Sequence, residues 1–150
     1  NKVIKVPPSM MMGSWMGSDF TNDDLVKDSS LINDYKYKMV KAKDNKTIAI
    51  ELVPKKGTVS LWGKILLVID SSTHLPSRQE FFDERGEFIR VMNFKDVKKI
   101  GGKLIPTTLE LIPQTSSKKG HKTTVKYIEA KFNVDVPMKT FTRIHLQKRR

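Results

Sequence analysis

The stretch YKYKMVKAKDNKTIAIELV, residues 35–53, sets the reading of the whole chain. Tyr35, Tyr37 and Met39 alternate with Lys36 and Lys38, so one face is oily and the other wet. A period of two belongs to a half-buried strand and not to a helix. Asp44–Lys46 (DNK) is turn chemistry. Beyond it Ile48, Ile50 and Leu52 alternate with Ala49 and Glu51. The two runs make an antiparallel hairpin with one apolar face.

The same pattern continues outward. Pro54–Lys64 carries Gly57 and Gly63 and reads as a loop. Ile65–Ile69 is the longest apolar run and has the length of a central strand. DERG at 83–86 suits a type I turn with glycine in the left-handed position. Gly101-Gly102 marks another turn, residues 113–121 a polar loop, and KTTVKYIEAKFN (122–133) one more strand with Val125 and Tyr127 on one face. Pro137 opens a final helical turn. Upstream, NKVIKV (1–6) reads as an edge strand stopped by Pro7-Pro8. DFTNDDLVKDSSL (19–31) reads as a short helix ended by Ser29-Ser30. Thr21 or Asn22 caps it, and Asp23 and Asp24 lie in its first turn. No helical pattern of 10–15 residues separates the strands, which excludes βαβ units. The expectation is one β-rich α+β domain of seven or eight antiparallel strands in a meander.

Composition narrows the function. At 150 residues and 38% hydrophobic content, the chain can build one core. It has no apolar run long enough for a membrane-spanning helix. The absence of cysteine excludes disulfides, thiolate metal sites and a cysteine nucleophile. The net charge of +12 is uneven: Asp19–Asp34 holds five acids against Lys27 alone, so the rest carries +16. Such an excess favours polyanions, whether nucleic acid, lipopolysaccharide or anionic lipid head groups.

Catalytic chemistry is not signalled. His74, His121 and His145 stand in no metal-ligand spacing. There is no GxSxG elbow and no P-loop, and Asp23/Asp24 read as helix-start charges. No catalytic residue, metal or cofactor is expected. A nucleic-acid-binding β-domain is the reading that charge alone supports. It is weakened by the lack of an RNP-type motif, and by Tyr35 and Tyr37 facing away from Lys36 and Lys38. One feature is left over: SMMMGSWMGSDF (9–20) holds four of the seven methionines. Methionine is unbranched and polarizable, which suits a deformable lining.

Taken in order and spacing, VIKVPPS (3–9), MGSDFTNDDL (16–25), VIDSSTHLPSRQEFFDERGEFIRVMNFKDVKKIGGKLIPTTLEL (68–111), GHKTTVKY (120–127) and FNVDVPMKTFTRIHLQ (132–147) resemble the outer-membrane lipoprotein-sorting-protein-like family, relatives of the periplasmic lipoprotein carrier. The resemblance implies a periplasmic protein with an unclosed β-barrel. That fold is a strongly curved antiparallel sheet with short helix over its concave side, and acyl chains are held between them. It implies no catalytic residues. Family members carry further strands and helices before this point. Residues 1–150 would then be the C-terminal part of such a domain, with an exposed sheet edge at the first strand open to homodimer pairing.

On this reading the function is a non-catalytic periplasmic binding or carrier protein for lipid or lipid-modified protein. Its partners are an acyl-chain lipid or lipoprotein and an envelope membrane or transporter, and not nucleic acid. An envelope-sensing or protein-interaction module on the same fold is the alternative. The ligand lining comprises Tyr35, Tyr37, Met39, Ile50, Leu109, Leu111 and Tyr127 on the strands. Met10, Met12, Trp15, Met16 and Phe20 join it from a flap hinged at Gly13 and Gly17. Trp15 and Met16 are expected to touch ligand, with Trp62 as a quiet bystander.

Overall fold

A computed structural model of the chain describes residues 7, 10–26, 31–58 and 60–148. The strand expected at residues 1–6, with the homodimer pairing placed there, and the helix end at Ser29-Ser30 lie outside the described residues.

Seven strands follow one another in a single antiparallel meander, each paired with its neighbours in sequence. They are β1 (Tyr35–Val40), β2 (Thr47–Pro54), β3 (Lys64–Asp70), β4 (Pro76–Phe82), β5 (Phe88–Ile100), β6 (Lys103–Pro113) and β7 (Thr123–Lys126). The sheet is curved and not closed into a barrel. β7 is shorter than the run 122–133 suggests. The chain leaves the sheet after Tyr127, whose amide still donates to the Thr107 carbonyl at 2.8 Å.

Turn chemistry works as the sequence implies. Asp83 accepts the amides of Arg85 and Glu87, both at 2.9 Å, and Gly86 takes a φ of 83°. Within the helix expected over 19–31 the described residues form α1 (Asn22–Val26), and a further short helix, α2 (Leu31–Asp34), leads into β1. Thr21 caps α1 in a reciprocal box. Its amide donates to Asp24 Oδ2 at 2.8 Å, and its hydroxyl accepts the Asp24 amide at 3.3 Å. Lys55 Nζ holds the end of α2 through the carbonyls of Asn33 (2.7 Å) and Ile32 (3.3 Å). After Pro137, a 3₁₀ turn at Met138–Phe141 leads into α3 (Arg143–Lys148).

The register decides which residues share a face. Tyr37 faces Leu52, Leu52 faces Ile65, and Ile65 faces Phe81. Phe81 faces Arg90, Met92 faces Leu111, and Leu109 faces Val125. One continuous face therefore carries most of the sheet's large apolar side chains, while Leu66, Val68, Val91 and Ile112 stand on the other. Tyr35, Leu52, Ile65 and Phe81 are its buried centre, with Leu31, Ile50, Trp62, Leu67 and Met92 packed on them. This core lies at one end of the sheet, where β1, β3, β5 and β7 begin. The other end, from Met39 to Tyr127, is more open: Met39 is 72% and Tyr127 44% exposed.

Candidate functional site

The concave face is covered at its core end by residues 10–26 and α2, and the cover is fastened by charge. Asp24 of α1 and Arg90 of β5 form a bidentate ion pair, 2.7 Å from Nη1 to Oδ2 and 2.5 Å from Nη2 to Oδ1. Both side chains are largely buried. The Arg90 guanidinium lies against two rings, 4.4 Å from the Trp62 centroid and 4.5 Å from that of Phe81. Burial pushes the Asp24 carboxyl upward. The Arg90 hydrogen bond and charge, with the Thr21 amide and hydroxyl, outweigh it and hold the group below the ordinary carboxylate value. Arg90 Nε is buried and has no hydrogen-bond partner among the described residues.

A second carboxylate fastens the loop before α1. Asp19 Oδ2 accepts the Thr123 hydroxyl at 2.8 Å, and the Asp19 amide donates back to Thr123 Oγ1 at 2.9 Å. Lys118 and His121 stand 3.6 and 4.0 Å from the same carboxylate. The acidic run 19–34 thus spends two of its charges on the basic sheet beneath it. Within the loop, Trp15 and Phe20 are joined by a backbone hydrogen bond, as are Gly13 and Asn22.

Two cavities open on the concave face. The first, about 280 Å³, lies beneath α1 and is walled by Asp24, Leu31, Tyr35, Trp62, Ile65 and Phe81 among others. The second, about 360 Å³, lies at the opposite end, where β5 and β6 run on as a long two-stranded arm. Phe94, Ile105, Leu109 and Tyr127 form its floor. Ala130 and Phe132, from the segment after β7, close it against the arm. The arm's ladder is interrupted at Asp96, which takes a φ of 53°. Its carbonyl accepts the Thr107 hydroxyl at 2.7 Å and its carboxylate that of Thr108 at 2.6 Å. At the arm tip Gly101 meets the closing segment. A Cβ there would stand 2.4 Å from the Ala130 carbonyl oxygen.

The residues singled out from the sequence fall into three groups. Tyr35, Tyr37, Met39, Ile50, Leu109, Leu111 and Tyr127 share the concave face, as their parity implies. Tyr35 walls the first cavity, Leu109 and Tyr127 the second, and Leu111 is wholly buried between them. Met10, Met12 and Met16 point to solvent on the covering loop, Met16 at 85% exposure, while Trp15 and Phe20 are more enclosed. Trp62, read as a bystander, stands in the wall of the first cavity.

Arg90, Phe94 and Phe132 were not singled out. Parity was available for the first two, because Arg90, Met92 and Phe94 alternate on the inward face of one strand. An inward-facing arginine in a sheet calls for a carboxylate partner. Phe132 lies beyond the sheet, and only the fold brings it back. Among the described residues no three His, Asp or Glu side chains come together in a metal-binding group, and no helix is long and apolar enough to cross a membrane.

A family model described only as an uncharacterized protein matches residues 1–148, and the chain belongs to that family. Among curated proteins, none matches. Among solved structures, a DUF1329 family protein from Desulfovibrio piger superposes with a TM-score of 0.77 at 20% identity over 94% of this chain. A domain described as an outer membrane lipoprotein-sorting protein, from Vibrio parahaemolyticus, gives 0.74 at 22% identity over 93%. A LolA superfamily protein from Nitrosomonas europaea gives 0.69 at 20% over 89%. The chain spans 58%, 58% and 60% of those three structures, respectively. At these identities the likeness is one of fold: an unclosed, lipoprotein-sorting-like antiparallel sheet.

Proposed function

We propose that this protein is a non-catalytic periplasmic carrier for lipid or lipid-modified protein, and that it holds acyl chains on the concave face of its sheet. The observation that carries the reading is the continuous apolar face shared by all seven strands, with two cavities left unfilled by the protein's own side chains. A well-packed domain fills such space itself. Each methylene moved there from water gains about 0.8 kcal/mol, so a chain binds firmly without a hydrogen bond.

Tyr35, Tyr37, Met39, Ile50, Leu109, Leu111 and Tyr127 form the floor for the ligand. Residues 10–26 are the cover, with Met10, Met12, Trp15, Met16 and Phe20 on it, and the Asp24–Arg90 pair is its clasp. Residues 1–150 belong to a longer carrier domain whose remaining strands and helices widen the same trough. The basic surface faces anionic head groups or the envelope membrane at the trough's mouth.

Two measurements test this. Gently purified protein, extracted with solvent and analysed by mass spectrometry, should release phospholipid or fatty acid. Added to mixed vesicles, it should accelerate exchange of labelled lipid. Protein that is consistently empty and inert in exchange would refute the proposal. Bound lipid without exchange would indicate the envelope-sensing module instead.

A further inference from the structure

The arm cavity differs in kind from the space under α1, and the difference bears on what it takes. It holds about 360 Å³ between the β5–β6 arm and Ala130–Phe132. At roughly 30 Å³ per methylene, close to the share of one liquid water, that is room for about a dozen carbons in a single file. One acyl chain of that length fills it. Its walls are hydrocarbon and aromatic ring, with Tyr127 and Phe132 facing Ile105 and Leu109.

The rim is cationic. Lys103 Nζ lies 4.8 Å from the centroid of the Phe132 ring, which closes the cavity. Lys98 pairs directly with Ile105 in the ladder, and Ile100 with Lys103. Both lysines therefore stand on the strand face that presents Ile105 to the cavity. Among the described residues neither ammonium has a carboxylate partner. The nearby acids are engaged elsewhere: Glu110 with Lys95 and Lys122, Glu129, beyond β7, with Lys131, and the Asp96 carboxylate with the Thr108 hydroxyl. Two uncompensated ammonium groups beside a dry, single-chain slot form the complement of one chemical class.

Resting on the carrier reading of the concave face, we infer that the arm cavity is a subsite for a single-chain anionic amphiphile. Its chain lies between Leu109 and Phe132, and its head group is held by Lys98 and Lys103. A carboxylate and a phosphate head share this chemistry.

The test uses the full 150-residue chain and calorimetric titration with laurate, dodecyl phosphate and the uncharged dodecanol. The anions should bind more tightly than the alcohol. Lys98→Gln/Lys103→Gln should lower their affinity about fivefold or more, with the gap closing at high salt. Ala130→Phe, which fills the slot, should remove the lysine-dependent preference for the anions and leave binding at the Trp62 cavity unchanged. Laurate and dodecyl phosphate, matched in chain length, assign the head group: tighter binding of laurate means carboxylate, and the reverse means phosphate. Equal binding of alcohol and anions, or a double lysine variant indistinguishable from the parent, would overturn the inference. Protein that carries diacyl phospholipid after extraction yet ignores both anions would also overturn it, while leaving the carrier reading intact. Protein that neither carries lipid nor binds any of the three would fail both.

Discussion

Replacing Asp24 with asparagine isolates the clasp. The substitution keeps the shape of the side chain and one acceptor for the α1 cap, but leaves the Arg90 guanidinium buried without a counter-charge. Removing one partner of a buried pair costs about 3–5 kcal/mol. The Asp24 side chain retains 18% exposure, so water relieves part of the penalty and the low end, about 3 kcal/mol, is expected. Stacking on Trp62 and Phe81 offsets little of this, because it is present in both proteins. For a chain of this size the loss lowers Tm by roughly 6–12 °C in calorimetry. A double-mutant cycle with Arg90→Met completes the test. If the pair acts as a unit, Asp24→Asn should cost little in the Arg90→Met background, giving a coupling of about 2 kcal/mol. Trp62 should also become more accessible to a soluble quencher as α1 loosens. The charge reasoning fails if Asp24→Asn stays within about 0.5 kcal/mol of the parent, or if the two substitutions are additive.

Asp70 supplies a pH test. The Ser72 hydroxyl and then the Thr73 amide and hydroxyl hold its carboxyl at about 2, against burial that opposes them. Its folded pKa is depressed, so its stabilisation is present above the ordinary value of 3.8 and fades as pH falls toward about 2. Asp70→Asn should flatten the fall of Tm with pH in that window, measured by circular dichroism. Gly101→Ala should destabilise by about 2 kcal/mol or more, because positive φ and backbone contact act together. Gly120→Ala, also at positive φ but in open space, should cost only about 1 kcal/mol. Denaturant titration compares the two. On adding fatty acid or phospholipid, the tryptophan fluorescence shift should persist in Trp15→Phe and vanish in Trp62→Phe, since Trp62 walls the cavity. The opposite pattern would place the ligand at the covering loop.

The strands were legible because their signals are local. Alternation over residues 35–53 fixes which side chains share a face whatever lies beyond, since a one-residue slip would turn the whole set to water. DERG and Gly101-Gly102 specify their turns through backbone conformations that glycine adopts without strain. That Tyr35, Tyr37, Met39, Ile50, Leu109 and Leu111 share one face followed from the same parity. The sequence therefore determined a meander with one oily face, an acidic capped helix before it, and a resemblance to lipoprotein-sorting proteins.

Tertiary structure alone decided what that face encloses. Asp24 meets Arg90 across 66 residues and Asp19 meets Thr123 across 104. No local pattern encodes those distances. Trp62 sits in an irregular loop, and contacts with distant segments tie it to the cavity wall: the Tyr35 hydroxyl reaches Ser60 (2.8 Å), Ser60 holds the Trp62 amide and carbonyl (both 3.0 Å), and the Trp62 ring meets Phe81 and Arg90. Phe132 reaches Gly101 because the chain leaves β7 and turns back over the arm. Periodicity names the faces of a strand, which are properties of the chain. Cavities arise where distant segments meet without filling the space between them, and that depends on the summed geometry of curvature, ion pairs and side-chain volume.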